Sequence, residues 1–221
     1  MGDRILNICF HGIGTPARTL EPGEDRYWIT TDEFGRILDE IATWPGVRIS
    51  FDDGNASDIE IGLPALLERD LPATFFVLAG RFGADGSLSE ADVIELHRHN
   101  MTIGTHGMNH IPWRRMPKPV RDRELVEARQ RIADVSGVDI VEAALPLGQY
   151  DRRLLADLKR LGYRKVHTSD RRAARLGRWI QPRFSVTRDD TARTLRESAL
   201  SPPSFIRNLE LSAKGILKQL R

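Results

Sequence analysis

Residues 47–77 read VRISFDDGNASDIEIGLPALLERDLPATFFV. A β-branched and aromatic run, Val47–Phe51, gives way to an aspartate–glycine turn, then to an amphipathic stretch over about Asp58–Asp70, then to a second apolar run, Ala73–Val77. Strand, helix, strand is the unit from which parallel sheets are built, because two parallel strands need a crossover rather than a hairpin. The alternation continues outward on both sides. Further strands are predicted over Arg4–Phe10, Met101–Gly104, Ala143–Leu145, Arg164–Thr168 and Phe184–Thr187. Helices are predicted at about Ser89–His99, Val120–Ser136, Arg152–Leu161 and Thr191–Leu200. Ser89 and Asp92 have the spacing of a capping box, and Gly137 and Gly162 stand where glycines end helices. Seven strands alternating with helices predict an α/β fold close to a (β/α) barrel, one domain over residues 1–200. The segment Thr15–Tyr27, with two prolines and mixed charge, reads as a loop covering one end of that barrel.

Composition narrows the class. With 221 residues, 40% hydrophobic and 29% charged, the chain fits a single globular domain and is neither disordered, collagen-like nor membrane-spanning. Its one cysteine, Cys9, excludes an internal disulfide and a CxxC zinc site. No signal sequence is legible at the N-terminus, so the expected location is the cytoplasm. The net charge of +2 conceals a basic segment: residues 152–188 hold 12 Lys and Arg against 2 Asp and Glu. Such a segment reads first as a solvated face paired to the acidic part of its own domain, and otherwise as an attractor of nucleic acid, anionic glycan, sugar-phosphate or lipid headgroups. No nucleic-acid motif accompanies it. At the C-terminus, residues 201–221 read as a basic amphipathic helix that packs on the domain or touches a membrane surface.

Two places carry chemistry. Asp52-Asp53-Gly54 follows a strand at its C-terminal end, where α/β folds put their active sites, although an Asp-Gly turn is also a common plain turn. Adjacent side chains diverge there, so one carboxylate can bind a metal while the other faces a substrate. After the strand Met101–Gly104 come His106 and His110, which at i and i+4 would share one face of a helical turn and could equally be two polar loop residues. With Asp53 they would form a one-carboxylate, two-imidazole set with open positions, suited to a hydrolytic zinc or similar divalent ion.

Here the sequence resembles a known family. Ser50-Phe51-Asp52-Asp53-Gly54 is similar to the (T/S)FDDG signature of polysaccharide deacetylases, the family-four carbohydrate esterases with the NodB-type homology domain. His106-Gly107-Met108-Asn109-His110 resembles their H-(S/T/G)-x-x-H signature, with Ala73-Thr74-Phe75-Phe76-Val77 between the two as theirs is. The resemblance implies a distorted (β/α) barrel, a divalent metal that is usually zinc, with cobalt or nickel as alternatives, and hydrolysis of an N-acetyl group on an amino sugar. It makes Asp53, His106 and His110 the metal ligands and Asp52 the general base. Pro146-Leu147-Gly148 matches the turn of a third motif, in which the backbone N–H of Leu147 would stabilise the oxyanion.

Two departures stand out. Ala144 occupies the place where the family often has an arginine that tunes the base, with Arg183 the nominee to replace it and to face substrate. The late histidine that protonates the leaving amine is missing, since the last histidine is His167. A permuted subset carries its equivalent at the end of the first strand, which nominates His11 as general acid if that strand closes the barrel beside the last. Asp170 resembles an aspartate that orients the acid and reads equally as a cap or loop aspartate, and Trp113 is a candidate to stack on sugar or to pack in the core. His97 and His99, at a helix end, read as structural. The competing expectation is a carbohydrate-binding relative that keeps the ion and has lost the chemistry.

Overall fold

The computed structural model describes residues 3–200, so the helix expected over 201–221 lies outside the described residues. Seven parallel strands run β1 Arg4–Phe10, β2 Val47–Asp52, β3 Ala73–Val77, β4 Thr102–Thr105, β5 Glu142–Ala144, β6 Lys165–Thr168 and β7 Ile180–Ser185. Each pairs with the next in sequence, and β7 returns to β1 through Asn7–Arg183, Ile8–Phe184 and Cys9–Ser185, closing a barrel. Strand β7 begins four residues before its expected start. Its first half alternates polar side chains with a proline, Gln181-Pro182-Arg183, and so lacks the apolar signature of a strand.

The period-2 alternation sends two sets of side chains in opposite directions. Ile8, Phe10, Ile49, Phe51, Phe75, Val77 and Phe184 point outward into the layer beneath the helices and form the main core. Burying each contributes roughly 1.5–3 kcal/mol. The opposite set, which includes Asn7, Cys9, Ser50, Asp52, His167, Gln181 and Arg183, fills the barrel and is buried too. This polar lumen contrasts with the branched aliphatic filling usual in such barrels.

Helices α1 Thr31–Ile41, α2 at 58–67, α3 Glu90–Arg98, α4 at 118–136, α5 Arg152–Arg160 and α6 Ala192–Leu200 surround the strands. Helix α1 was not among the sequence expectations. Thr30 caps it by accepting from the Glu33 N–H, and Phe34, Ile37, Leu38 and Ile41 form its buried face at a spacing that would have revealed it. It lies beside α6, tied by Arg196 to Glu40. The capping box of Ser89 and Asp92 is present, and Gly137 ends α4 in the left-handed conformation. Helices α2 and α4 each contain one π turn, at Asp58–Gly62 and Arg123–Glu127, and each turn bears a fully buried acid. None of the described helices is long and apolar enough to cross a membrane.

The segment after β1 lies over the C-terminal ends of the strands, as expected of a covering loop. Gly12–Ile13 and Trp28–Ile29 pair as short parallel strands at its two ends. Between them Arg18 bonds Glu24 and the Asn55 Oδ1, and Arg81 pairs with Glu21.

Candidate metal and catalytic site

At the C-terminal rim a cavity of about 240 Å³ is lined by His11, Asp52, Asp53, His106 and His110, with Leu147 and Arg183 at its wall. The histidine pair does not sit on a helical turn, which corrects the sequence reading. Gly107 at φ +94° and His110 at φ +53° break any helix there, and the two rings lie 5.3 Å apart across an irregular loop. That loop wraps around Glu124 from the π turn of α4. The carboxylate accepts from the Met108 N–H (2.8 Å), the Asn109 N–H (3.2 Å) and the Trp113 indole N–H (3.3 Å). A side chain at position 107 would meet the Glu124 Oε2 at 2.5 Å, so only glycine fits.

Each imidazole has its Nδ1 facing an acceptor. The His106 Nδ1 donates to the Ala144 carbonyl at 3.0 Å, and the His110 Nδ1 donates to Glu21 at 2.7 Å. A carbonyl and a carboxylate only accept, so in the neutral form of each ring the Nε2 carries the lone pair. Both Nε2 atoms point at the same carboxylate oxygen, the Asp53 Oδ1, from 3.4 Å. That oxygen is buried and has no hydrogen-bond partner among the described residues. Burial pushes the His106 pKa down to about 4, which keeps the ring neutral at physiological pH. The ligand atoms of Asp53, His106 and His110 all lie within 4.8 Å of one another. Three electron pairs converging with no donor between them repel one another unless a cation joins them, and one carboxylate with two imidazoles is a donor set for zinc, cobalt or nickel. These residues fit a divalent ion.

Asp52 stands apart from that set. Its oxygens take both arms of the Arg183 guanidinium at 2.6 Å, and Arg183 also donates to the Ser50 hydroxyl at 3.1 Å. Burial alone would raise the Asp52 carboxyl, but the Arg183 charge, aided by His106 and His11, holds it well below the usual carboxylate range. Arg183 is 1% exposed and both its terminal nitrogens are used. The nominee for the arginine missing at Ala144 thus grips Asp52 with both arms, in the wall of the cavity.

His11 emerges from β1 onto this rim because β1 and β7 close the barrel. Its Nε2 is 4.0 Å from the Asp52 Oδ2, and its ring stacks on Tyr27 with centroids 4.7 Å apart. Asp170 stands a step back, accepting from the Tyr150 hydroxyl (2.8 Å) and the Thr168 hydroxyl (2.9 Å). Leu147 borders the cavity at φ +56° and is 55% exposed. Asp53, His110 and Leu147, three of the seven non-glycine residues at positive φ among the described residues, line this cavity. Trp113 is corrected from sugar platform to core residue, since it is 1% exposed and its indole serves Glu124. Beneath the site, Cys9 is a buried free thiol whose pKa is pushed up by burial.

Sequence reasoning missed Glu21, Tyr27 and Glu124. Glu124, inside a recognised helix and just after the histidine motif, was flagged by nothing but an acid on an amphipathic stretch. Glu21 and Tyr27 fall in the covering loop, where no period marks which side chain turns inward.

A further buried acid lies under the site. Asp58 is 1% exposed, and neither carboxyl oxygen has a partner among the described residues. Burial, then the charges of Asp53 and Asp52, push its carboxyl well above the usual range. The unfolded chain releases this proton above about pH 4, whereas the folded chain keeps it. Stability from this group is therefore complete below the unfolded value and is lost as pH rises towards the folded one. In metal-free protein, Asp58→Asn is expected to raise Tm by an increment that grows from about pH 5 to about pH 8. Melting curves at the two pH values check this, and an increment that shrinks with pH contradicts it.

Comparison with known proteins came to the same family. The profile of the family described as polysaccharide deacetylase matches residues 43–166. A curated protein of Bacillus subtilis (strain 168), "Putative polysaccharide deacetylase YxkH", is 23% identical over 128 residues, 58% of this chain. The chain spans about half of that relative's length, 46% being covered. Among solved structures, the Streptococcus pyogenes deacetylase PplD superposes with a TM-score of 0.76 at 19% identity, covering 90% of this chain and 99% of that one. BC0361, a polysaccharide deacetylase from Bacillus cereus, gives 0.76 at 13% identity, with 88% and 68% covered. IcaB from Ammonifex degensii gives 0.68 at 23% identity, with 85% and 94% covered. At these identities the superpositions establish the barrel fold. With the profile match extending over more than half of the sequence, the chain belongs to the polysaccharide deacetylase family.

Proposed function

We propose that the chain is a metal-dependent hydrolase that removes an N-acetyl group from an amino sugar borne on a polysaccharide, an oligosaccharide or a lipid. The observation that carries this reading is the Asp53 Oδ1, buried, unpartnered and faced by two imidazole lone pairs at 3.4 Å, beside a second carboxylate already clamped by an arginine. Bound by Asp53, His106 and His110, a divalent ion supplies a Lewis acid that polarises the acetyl carbonyl and acidifies water.

The chain's own groups handle the protons. Asp52, kept ionised by Arg183, accepts a proton from the water whose oxygen bonds to the acetyl carbon. The Leu147 N–H, at the cavity edge, is placed to donate to the oxyanion, and because the donor is backbone it survives changes of side chain. His11 gives a proton to the amide nitrogen as the C–N bond breaks, leaving acetate and a free amine. Stacking on Tyr27 sets the angle of that ring. A cavity of about 240 Å³ is smaller than the roughly 300–1,000 Å³ of pockets for drug-sized ligands. It suits one acetylated ring rather than several. The competing reading, an ion-binding relative without chemistry, rests on Ala144 and on the missing late histidine; Arg183, a cation on Asp52 from another strand, and His11 on the same rim favour the enzyme.

Acetate release from N-acetylglucosamine oligomers, with O-acetylated sugars as controls, tests the reading. Release is expected to stop with a chelator and return with zinc. His11→Ala is expected to keep its metal by elemental analysis while turnover falls by about 10²–10⁴-fold, the usual worth of a general acid. Absence of acetate from every N-acetylated substrate, or full turnover in the His11 variant, would remove the activity or the acid assignment respectively.

A further inference from the structure

Nine of the 12 basic residues in segment 152–188 fall into two groups. Arg160 pairs with Asp157, Lys165 with Glu142, Arg171 with Asp190, Arg183 with Asp52 and Arg188 with Asp25, which is the self-pairing the sequence reading expected. Lys159, Arg172, Arg175 and Arg178 have no acidic partner among the described residues. These four instead surround one cavity of about 480 Å³ with Trp179 at its wall, and among the described residues no acidic side chain lines it. It lies outside the barrel beside the start of β7, on the face that Ile180 and Pro182 present, whereas Gln181 and Arg183 point into the lumen.

This cleft is built rather than incidental. The carbonyls of Arg175 and Arg178 both accept from the Gln181 side chain, which fixes the turn carrying the two arginines. Trp179 is held by its indole N–H on the Tyr163 carbonyl at 2.7 Å, and the Lys159 ammonium lies 5.1 Å from its ring centre. The Arg172 Nε is buried without a partner. Four cations facing one space with no counter-charge repel one another, and a multiply charged anion between them relieves that repulsion. Guanidinium groups present planar forks that match phosphate oxygens. A volume of about 480 Å³ favours a compact anion over a polymer lying in a long groove.

We propose that the cleft formed by Lys159, Arg172, Arg175 and Arg178 binds a phosphate or diphosphate group, carried either by a soluble phosphate ester or by an anionic lipid headgroup. The proposal is independent of the deacetylase reading, because no residue of the C-terminal rim takes part. Leu176, 55% exposed between the two arginine positions, is where a lipid source would make its apolar contact.

Calorimetric titration of the full chain with pyrophosphate and with inorganic phosphate, at low and at moderate salt, tests the site. Saturable binding that weakens with salt is expected. Arg175→Ala with Arg178→Ala is expected to weaken it at least about tenfold, and the Lys pair at the same positions to fall between wild type and the alanine pair, since charge is retained and the fork is lost. Lys159→Ala, on α5, reads the same cavity without altering the turn, and unchanged melting curves show that the fold is kept. In parallel, co-sedimentation with phosphatidylglycerol vesicles in phosphatidylcholine separates the sources. Pyrophosphate binding without vesicle binding supports a soluble ester, and vesicle binding lost in the Ala pair supports a headgroup. No binding of either, binding unchanged in the Ala pair and in Lys159→Ala, or binding to duplex DNA alone overturns the proposal.

Discussion

Substituting alanine for His106 is expected to strip the centre of its ion and to lower acetate release by at least about a thousandfold, close to 4 kcal/mol of barrier at 1.36 kcal/mol per tenfold. The loss is large because a Lewis acid contributes several kcal/mol of charge stabilisation to this kind of hydrolysis, and two remaining ligands cannot hold it. Elemental analysis and acetate release should fall together. The same variant has a signature in stability. In metal-free wild type the buried His106 has a pKa of about 4, against about 6.5 in an unfolded chain. A depressed folded value means that the unfolded state takes the proton first, so stability is complete above about pH 6.5 and drains away as pH falls towards 4. His106→Ala is expected to flatten the pH dependence of Tm in that window. Retained metal with retained activity would sink the ligand assignment.

Arg183→Ala is expected to be the most damaging change to the fold and to the base at once. It leaves the Asp52 carboxylate, which is 2% exposed, without its cation. Removing one partner of a buried ion pair costs roughly 3–5 kcal/mol, which in a domain of this size lowers Tm by about 10 °C. The carboxyl, freed from Arg183 and still buried, rises above the usual carboxylate range. It then holds its proton at acidic and near-neutral pH and cannot take another from water. The acid limb of kcat/KM should therefore move up by at least about one unit, with partial recovery at higher pH. Arg183→Lys keeps the charge but loses the fork, and should fall between wild type and the alanine variant. A stable Arg183→Ala protein with an unshifted acid limb would show that Asp52 is not the base.

The FDDG turn and the HxxxH pair were legible because each is a short contiguous string placed just after a strand. Of the residues that touch them, Arg183 was reached only as a nominee to replace the arginine absent at Ala144, and Glu21 was missed. Arg183 lies 131 positions from Asp52 in sequence, and Glu21 lies 89 from His110. Neither stands in a pattern that marks it, since an arginine beside a proline hides a strand and an acid in a loop looks like solvent-facing charge. Trp113 failed in the opposite direction: three residues beyond a ligand, it looked like a wall of the cleft, yet the buried Glu124 draws its indole into the core. His11 was reachable only by supposing that the first strand closes beside the last, which the β1–β7 register bears out.

Hydrophobic periodicity and turn glycines, local properties of the chain, determined most of the alternating strands and helices, α1 excepted, and the (β/α) barrel class; the two motifs, read with the family resemblance, marked the three side chains fit to hold an ion. How the Arg183 guanidinium seats on Asp52, which carboxylate meets His110, and which four basic groups stay unpaired around an outer cleft were decided by tertiary structure alone. The physical reason is that each depends on where barrel closure and helix packing bring together residues distant in sequence, and pairwise electrostatics acts on distance in space.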